Sequence, residues 1–382
     1  MIDTEQVWLV RYSEVFLKSE PVRREWEKTL IRNIKRVLPG AEPRRERGRI
    51  WLAGEVDPEV LRNVFGIVSF SLCDVVPLDD LPKGLLAFSE RHGIAEAATF
   101  ALRIRRVGKH SFTSKDLAER LGNLVRAEYP HLRVDLDDPG REIFVEVRDG
   151  TCYLFDRKIP AVGGIPLGVE GTLVALVSGG IDSPVAAFMM MKRGCRIVPL
   201  YVGLEGYLDE TNLARTKATV EALRRYQPDI ELMVVGDGYL ARARRVLEER
   251  GQERYTCLLC KRRMYRIAVE IARREGAKGF VTGESMGQVA SQTLDNLMVL
   301  TDAATIPVYR PLIAFDKEDA VRLAREIGTF EASIAPACGC GAVPARPSTA
   351  ATIETVSTLE EAVGDAGDVE TLRMRPAHNM RE

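Results

Sequence analysis

Two hydrophobic periods alternate along the chain, and their order changes near its middle. Residues 6–11 alternate as a strand. Over 21–38, Trp26, Leu30, Ile34, Val37 and Leu38 recur at the spacing of one helix face, and Pro39-Gly40 stops that helix. A strand at 50–53, a short helix at 58–63 and a strand at 67–72 complete a small α+β unit. Next come a strand at 100–107 and a helix with Leu117, Leu121, Leu124 and Val125 inward, opened by a Thr113/Asp116 capping box. Strands at 134–136 and 143–147 flank the turn Asp137-Asp138-Pro139-Gly140. The Pro/Gly-rich run 159–168 reads as a linker.

Beyond it the pattern becomes strand–helix–strand. Strands are predicted at 173–177, 196–202, 230–235 and 279–282. Helices are predicted from Pro184, at 212–226, 240–250, 257–274 and 316–327. Such alternation implies a parallel, doubly wound sheet, whose ligands bind at the carboxyl ends of its strands. The loop 178–183, Tyr201-Val202 and Thr282-Gly283-Glu284 should therefore share one crevice. Past residue 329 regularity fades; 342–355 reads as loose, with a short helix at 358–363.

Composition narrows the class. The 382 residues are 46% hydrophobic and 29% charged with formal net charge −1, which excludes a uniformly basic nucleic-acid binder but not local basic patches. No apolar run is long enough for a membrane span and no signal pattern opens the chain, so the expected location is the cytoplasm. Seven cysteines, two pairs of them close (Cys257/Cys260 and Cys338/Cys340), argue for metal or redox chemistry rather than a disulfide scaffold.

The chemistry centres on SGGIDS at 178–183, between an apolar strand and an apolar helix. Gly179 and Gly180 allow close backbone approach, the helix N-terminus offers free N–H groups, Ser178 and Ser183 add hydroxyls, and Asp182 suits magnesium. There is no Walker A lysine and no GxGxxG. The hexapeptide resembles the PP-loop of ATP pyrophosphatases, which cleave ATP between its α and β phosphates. Cations cluster at Arg44, Arg45, Arg47 and Arg49, and again at Arg103, Arg105, Arg106, Lys109 and Lys115, as phosphate-backbone contacts would. Taken alone, each block also suits a solvated, salt-bridged surface.

Together, RYSEVFLKS at 11–19, GGIPLG at 163–168, SGGIDSPVAAF at 178–188, TGESMGQVASQT at 282–293 and RPLIAFDK at 310–317 resemble the tRNA 4-thiouridine synthetases, the ThiI-type tRNA sulfurtransferases. The resemblance implies an α/β PP-loop ATP pyrophosphatase domain preceded by α+β ferredoxin-like and THUMP domains. Its expected bounds here are 1–58 ferredoxin-like, 59–163 THUMP, 164–345 PP-loop and 346–382 a loose tail. It implies adenylation of tRNA uridine 8 with ATP and Mg²⁺, then replacement of O4 by sulfur. A role in thiamine thiazole synthesis also follows from it. The implied ATP contacts are Leu176, Val177, Tyr201, Val202, Lys261, Gly283 and Gln292, beside Ser178, Gly179, Gly180 and Ser183 of the loop. Asp182 would bind magnesium, Lys317 would stabilise charge, and Cys340, with Cys338 as near competitor, would be the reactive cysteine. Arg44, Arg45, Arg103, Arg105, Arg106, Lys109 and Lys115 would meet the tRNA acceptor stem, and a homodimer is compatible with the family.

Two features depart from the bacterial pattern. The chain has no room for a rhodanese domain, and Leu200 stands where the resolving cysteine is usual. Cys257, Cys260 and Cys340 (or Cys338) would instead suit a [4Fe-4S] cluster with one open iron able to hold hydrosulfide, as in archaeal-type thiolases. Zinc, or a pair of small buried hydrophobes, are the other readings of these thiols. The sulfur donor, sulfide or a persulfide carrier, stays open. A PP-loop amide-forming ligase, or a non-catalytic tRNA-binding protein, are the alternative functions.

Overall fold

The computed structural model describes residues 5–12, 14–46, 48–364, 367 and 369–374. The chain divides into two compact units, residues 1–164 and 165–382, so the Pro/Gly-rich run does carry the boundary. Ser13 of the 11–19 motif and Arg47 lie outside the described residues.

The first unit is built on one nine-stranded sheet that runs unbroken past residue 58. Its strands are β1 (Gln6–Arg11), β2 (Ala41–Glu46), β3 (Arg49–Gly54), β4 (Ser69–Pro77), β5 (Thr99–Val107), β6 (Arg133–Val134), β7 (Arg141–Arg148), β8 (Thr151–Phe155) and β9 (Ile159–Pro160). Their order is β2-β3-β1-β4-β8-β7-β5-β6, with β9 on β4. The first arginine run is a true hairpin, β2 pairing with β3 from Ala41 opposite Gly54 to Glu46 opposite Arg49. Helices α1 (Glu20–Val37), α2 (Pro58–Leu61), α3 (Leu81–Arg91) and α4 (Ser114–Glu128) accompany it. Leu30 and Ile34 of α1 are fully buried, as the helical spacing demands. The α4 capping box is present, Thr113 accepting from the Asp116 amide and Asp116 from the Thr113 amide.

The strand expected at 67–72 lies further on, at Ser69–Pro77, because Gly66 and Ile67 are held in a turn with their amides bonded to Gly163 and Val64. Helix α3 escapes the sequence reading. It carries Pro82 and Gly84, and Gly84 is where the helix crosses Val76, whose methyl would lie 2.7 Å from a Cβ.

The second unit carries the doubly wound sheet. Strands β10 (Gly171–Leu176), β11 (Cys195–Leu204), β12 (Leu232–Asp237), β13 (Phe280–Val281) and β14 (Val308–Tyr309) are parallel, in the order β14-β13-β10-β11-β12. The helices are α5 (Asp182–Lys192), α6 (Glu210–Leu223), α7 (Tyr239–Glu249), α8 (Thr256–Arg274), α9 (Leu294–Asp302), α10 (Lys317–Glu326), α11 (Phe330–Ile334) and α12 (Ile353–Val363). The core between sheet and helices includes Val174, Leu200, Val235, Leu259, Ile267 and Phe280, all but inaccessible.

Two expectations need correction here. Helix α5 opens at Asp182, not at Pro184, which places Pro184 third in the helix, still among the N–H groups that have no helical partner. Nor is the segment after 346 loose where it is described. Helix α12 packs Val356, Leu359 and Val363 into the core, and β15 (Thr371–Met374) adds an antiparallel edge to β12. The anchor is ionic: Arg262 of α8, 2% exposed, pairs with Asp302 at 2.9 Å and Glu360 at 2.9 Å, and Arg266 also grips Glu360.

Candidate active site at the phosphate loop

The site forms where β10, β11 and β13 end. Strand β10 delivers 177–183 to the N-terminus of α5, and Ser183 turns back so that its Oγ accepts from the Ser178 amide at 3.2 Å. Thr282 and Gly283 follow β13. A Cβ on Gly283 would stand 2.7 Å from the Ser183 nitrogen, so the two loops touch through bare backbone.

Above them opens a cavity of about 500 Å³. Of the expected ATP contacts, Leu176, Val177, Ser178, Gly180 and Ser183 line it from the loop side. Tyr201, Val202, Lys261, Gly283 and Gln292 line it from the other strands and α8. Gly179 does not, because its Cα packs away against Thr216. Tyr201 and Val202 lie inside β11 rather than past its end. The Gln292 Oε1 is buried without a donor, an acceptor vacancy that suits an amino group of a ligand.

Asp182 lines the cavity, and Lys317, the first residue of α10, clamps it with Nζ 2.8 Å from both carboxylate oxygens. Gln288 donates to the same carboxylate at 3.4 Å. A lysine at a helix N-terminus is electrostatically misplaced unless an anion faces it, and Asp182 is that anion.

The cysteines separate. Cys340 lines the cavity and lies close enough to Cys257 and Cys260 to push both thiols upward in pKa, after burial, which is the larger cause for each. Cys257 sits in the first turn of α8 and Cys260 just past it, one residue before Lys261. Cys338 also borders the cavity but is tied elsewhere: its thiol bonds Asp209, its amide donates to Thr211 Oγ1 at 3.2 Å, and its carbonyl accepts from Asn212 Nδ2 at 2.9 Å. Cys340 thus lies within electrostatic reach of Cys257 and Cys260, and Cys338 is not among the groups that act on them. Among the described residues, no three His, Cys, Asp or Glu side chains are arranged to hold a metal ion.

One residue that the sequence placed in the crevice without giving it a role is central. Glu284, 4% exposed, receives Tyr265 Oη at 2.6 Å, Thr282 Oγ1 at 3.0 Å and Arg310 Nε at 2.8 Å, and pairs with Lys261 at 3.4 Å. Burial alone would raise its pKa; Lys261, Tyr265 and Arg310 together hold it below the usual carboxylate range. The motif at 282–293 marks the position of Glu284, but its role could not be read there, since apart from Thr282 its partners Lys261, Tyr265 and Arg310 are distant in the chain.

The basic residues of the first unit are less free than their spacing implies. Arg45 pairs with Glu27 at 3.0 Å and Arg103 with Glu142 at 2.7 Å. Arg44 reaches the Tyr153 hydroxyl at 3.4 Å, and Lys115 lies 3.8 Å from Glu119. Arg105 and Lys109 are exposed, and the Nε of Arg106 is buried without an acceptor.

Comparison with known proteins agrees with this architecture. Residues 168–364 match the family model described as thiamine biosynthesis protein (ThiI), 77–156 the THUMP domain and 7–71 the ThiI ferredoxin-like domain. A probable tRNA sulfurtransferase of Methanosarcina mazei is 40% identical over 93% of this chain and 90% of its own. The tRNA sulfurtransferase of Pyrobaculum aerophilum is 36% identical over 94% of this chain and 75% of its own. Among solved structures, a 4-thiouridine synthetase–RNA complex with bound ATP superposes with TM-score 0.85 at 32% identity, covering 97% of this chain and 100% of that one. PH1313 from Pyrococcus horikoshii superposes with TM-score 0.65 at 26% identity, covering 85% and 99%.

Proposed function

The chain belongs to the ThiI family of tRNA sulfurtransferases, and from that premise we propose how its own residues carry out ATP-dependent thiolation of tRNA. The enzyme binds ATP and tRNA. The nucleotide lies in the cavity at the ends of β10, β11 and β13, its phosphates on the amides of 178–183. The observation that carries the reading is that the phosphate loop and the cysteine loop border one cavity.

The uracil O4 of uridine 8 attacks the α-phosphate, the bond to the β-phosphate breaks, and pyrophosphate leaves. Loop N–H groups and Lys317 neutralise the charge that develops. Asp182 would hold magnesium, which when bound screens phosphate charge. The Asp182–Lys317 pair opens for this, turning the ammonium toward the substrate. Lys261, steadied by Glu284, reaches the nucleotide from the opposite wall. AMP is then the leaving group for sulfur brought by Cys340.

For sulfur delivery we take Cys257, Cys260 and Cys340 as the ligands of an iron–sulfur cluster. A cluster with one open iron would supply bound hydrosulfide. Cys340 on the cavity wall, within electrostatic reach of Cys257 and Cys260, supports this; the three thiols would close on the metal as it binds and give up their protons to it. ATP, tRNA and inorganic sulfide as sole sulfur source should yield 4-thiouridine in tRNA, read by nucleoside mass spectrometry. Anaerobically purified protein should carry iron and acid-labile sulfide, and Cys257→Ala should lose both together with thiolation. Iron and activity both retained in that variant would exclude the cluster.

The first unit supplies the phosphate contacts for tRNA, the exposed Arg105 and Lys109 among them. Each replaced by alanine should flatten the log–log salt dependence of tRNA binding by about 0.7–0.9, as the loss of one phosphate contact does. An unchanged slope would place the RNA elsewhere. A homodimer sharing one tRNA, measurable by light scattering with and without tRNA, belongs to the same proposal, as does a cytoplasmic location. No helix of the described residues is long and apolar enough to cross a membrane. An amide-forming ligase leaves the cysteine loop without a task, and a non-catalytic RNA binder leaves the nucleotide cavity without one.

A further inference from the structure

Helix α6 touches the phosphate loop and the cysteine loop at once. Gly179 has φ +70°, and a Cβ there would stand 2.8 Å from the Thr216 amide nitrogen and 3.1 Å from the Arg215 carbonyl carbon. The backbone at 215–216 therefore packs straight onto the phosphate loop, and only glycine lets it do so. From that point the Arg215 side chain enters the cavity bordered by Ser178, Gly180 and Ser183.

Its guanidinium is under-used. Nε is buried with no acceptor, and Nη1 reaches the Ala335 carbonyl only at 3.4 Å. No carboxylate among the described residues pairs with it. The other cations around the nucleotide are engaged, Lys261 by Glu284 and Lys317 by Asp182. A buried donor without an acceptor is costly unless a ligand supplies one. A planar guanidinium fork matches phosphate oxygens in pairs, which an ammonium cannot.

We propose that Arg215 binds the β,γ-diphosphate of ATP against the 178–183 loop and retains it as pyrophosphate when the α–β bond breaks. The proposal rests on the reading of the cavity as the ATP site. The electron pair of the broken bond stays on the bridging oxygen, so negative charge grows on the leaving group within reach of the Arg215 donors. AMP, which lacks those phosphates, should not feel Arg215.

Calorimetry on the full chain with ATP, pyrophosphate and AMP tests this. In Arg215→Met, affinity for ATP and for pyrophosphate should fall roughly 10- to 100-fold, the range for a lost charged hydrogen bond, while AMP binding stays within about twofold. Arg215→Lys, which keeps the charge but not the planar fork, should fall between. Unchanged ATP and pyrophosphate binding in Arg215→Met overturns the proposal. So does an equal loss for all three ligands, which marks damage to the cavity. Failure of the unmodified protein to bind ATP would instead refute the underlying reading of the cavity.

Discussion

Replacing Cys340 by serine should all but abolish tRNA thiolation, because it removes the one proposed cluster ligand that lines the cavity with the phosphate loop. The same variant should release pyrophosphate at close to the normal rate. The split follows from the layout: Asp182, Lys317 and the loop amides activate the uridine, while Cys340 stands on the far border of the cavity beside Cys257 and Cys260. Cys338→Ser should keep activity within a few-fold, because its thiol is bonded to Asp209 and its backbone to Thr211 and Asn212. Parallel assays of pyrophosphate release and of 4-thiouridine decide the matter. Loss in Cys338→Ser with retention in Cys340→Ser would exchange the two roles.

The second large effect is on stability. Glu284→Ala leaves Arg310 and Lys261 facing a buried space with no counter-charge, and breaking a buried pair in this way costs about 3–5 kcal/mol. Chemical denaturation of the two proteins reads it. Glu284→Gln should be milder, since the amide still accepts from Tyr265 and Thr282. The ionised carboxylate also sets a pH dependence. Its folded pKa lies below the unfolded one, so its contribution is complete above the ordinary carboxylate range and is lost as pH falls through the lowered folded value. The stability of Glu284→Gln should lack that acid limb. An equal acid limb in both proteins would assign it to other carboxylates.

What could be read from the sequence was local. The phosphate loop is written in adjacent residues, 178–183, and so is the α4 cap, Thr113 with Asp116. Both are fixed by spacing within one turn. Helix α3 was illegible because Pro82 and Gly84 read as breakers, whereas Pro82 falls in the first turn and Gly84 answers a contact with Val76. Only the second half of helix α12, 358–363, could be read; its first half lies in an Ala/Thr/Ser-rich stretch, and much of the helix's anchoring lies at Arg262 and Arg266, about a hundred residues earlier. The same limit applies to the cysteines. Spacing could not separate Cys338 from Cys340; the choice depends on Asp209 and α8, which only the fold brings near. Glu284 stands in a motif the sequence displays, but its ion pairs with Lys261 and Arg310, like the contact of Arg215 with Ala335, join residues distant in the chain.

The late segment that closes the sheet has a consequence for how the protein is made. Arg262 and Arg263 sit on the helix that bears Cys257 and Cys260, yet Arg262 needs Glu360 and Arg263 needs the Gly367 carbonyl at 3.2 Å. While the chain is still emerging from the ribosome, those cations have been synthesised and these two acceptors have not. The first unit can fold during translation, since its sheet is complete once β9 has emerged. The second must wait for its last strand, with an open sheet edge at β12 in the interval. Sulfur chemistry is thereby postponed until residues 360–374 have been made, and a ribosome stalled before codon 360 would hold a folded RNA-binding half joined to an unfinished enzyme.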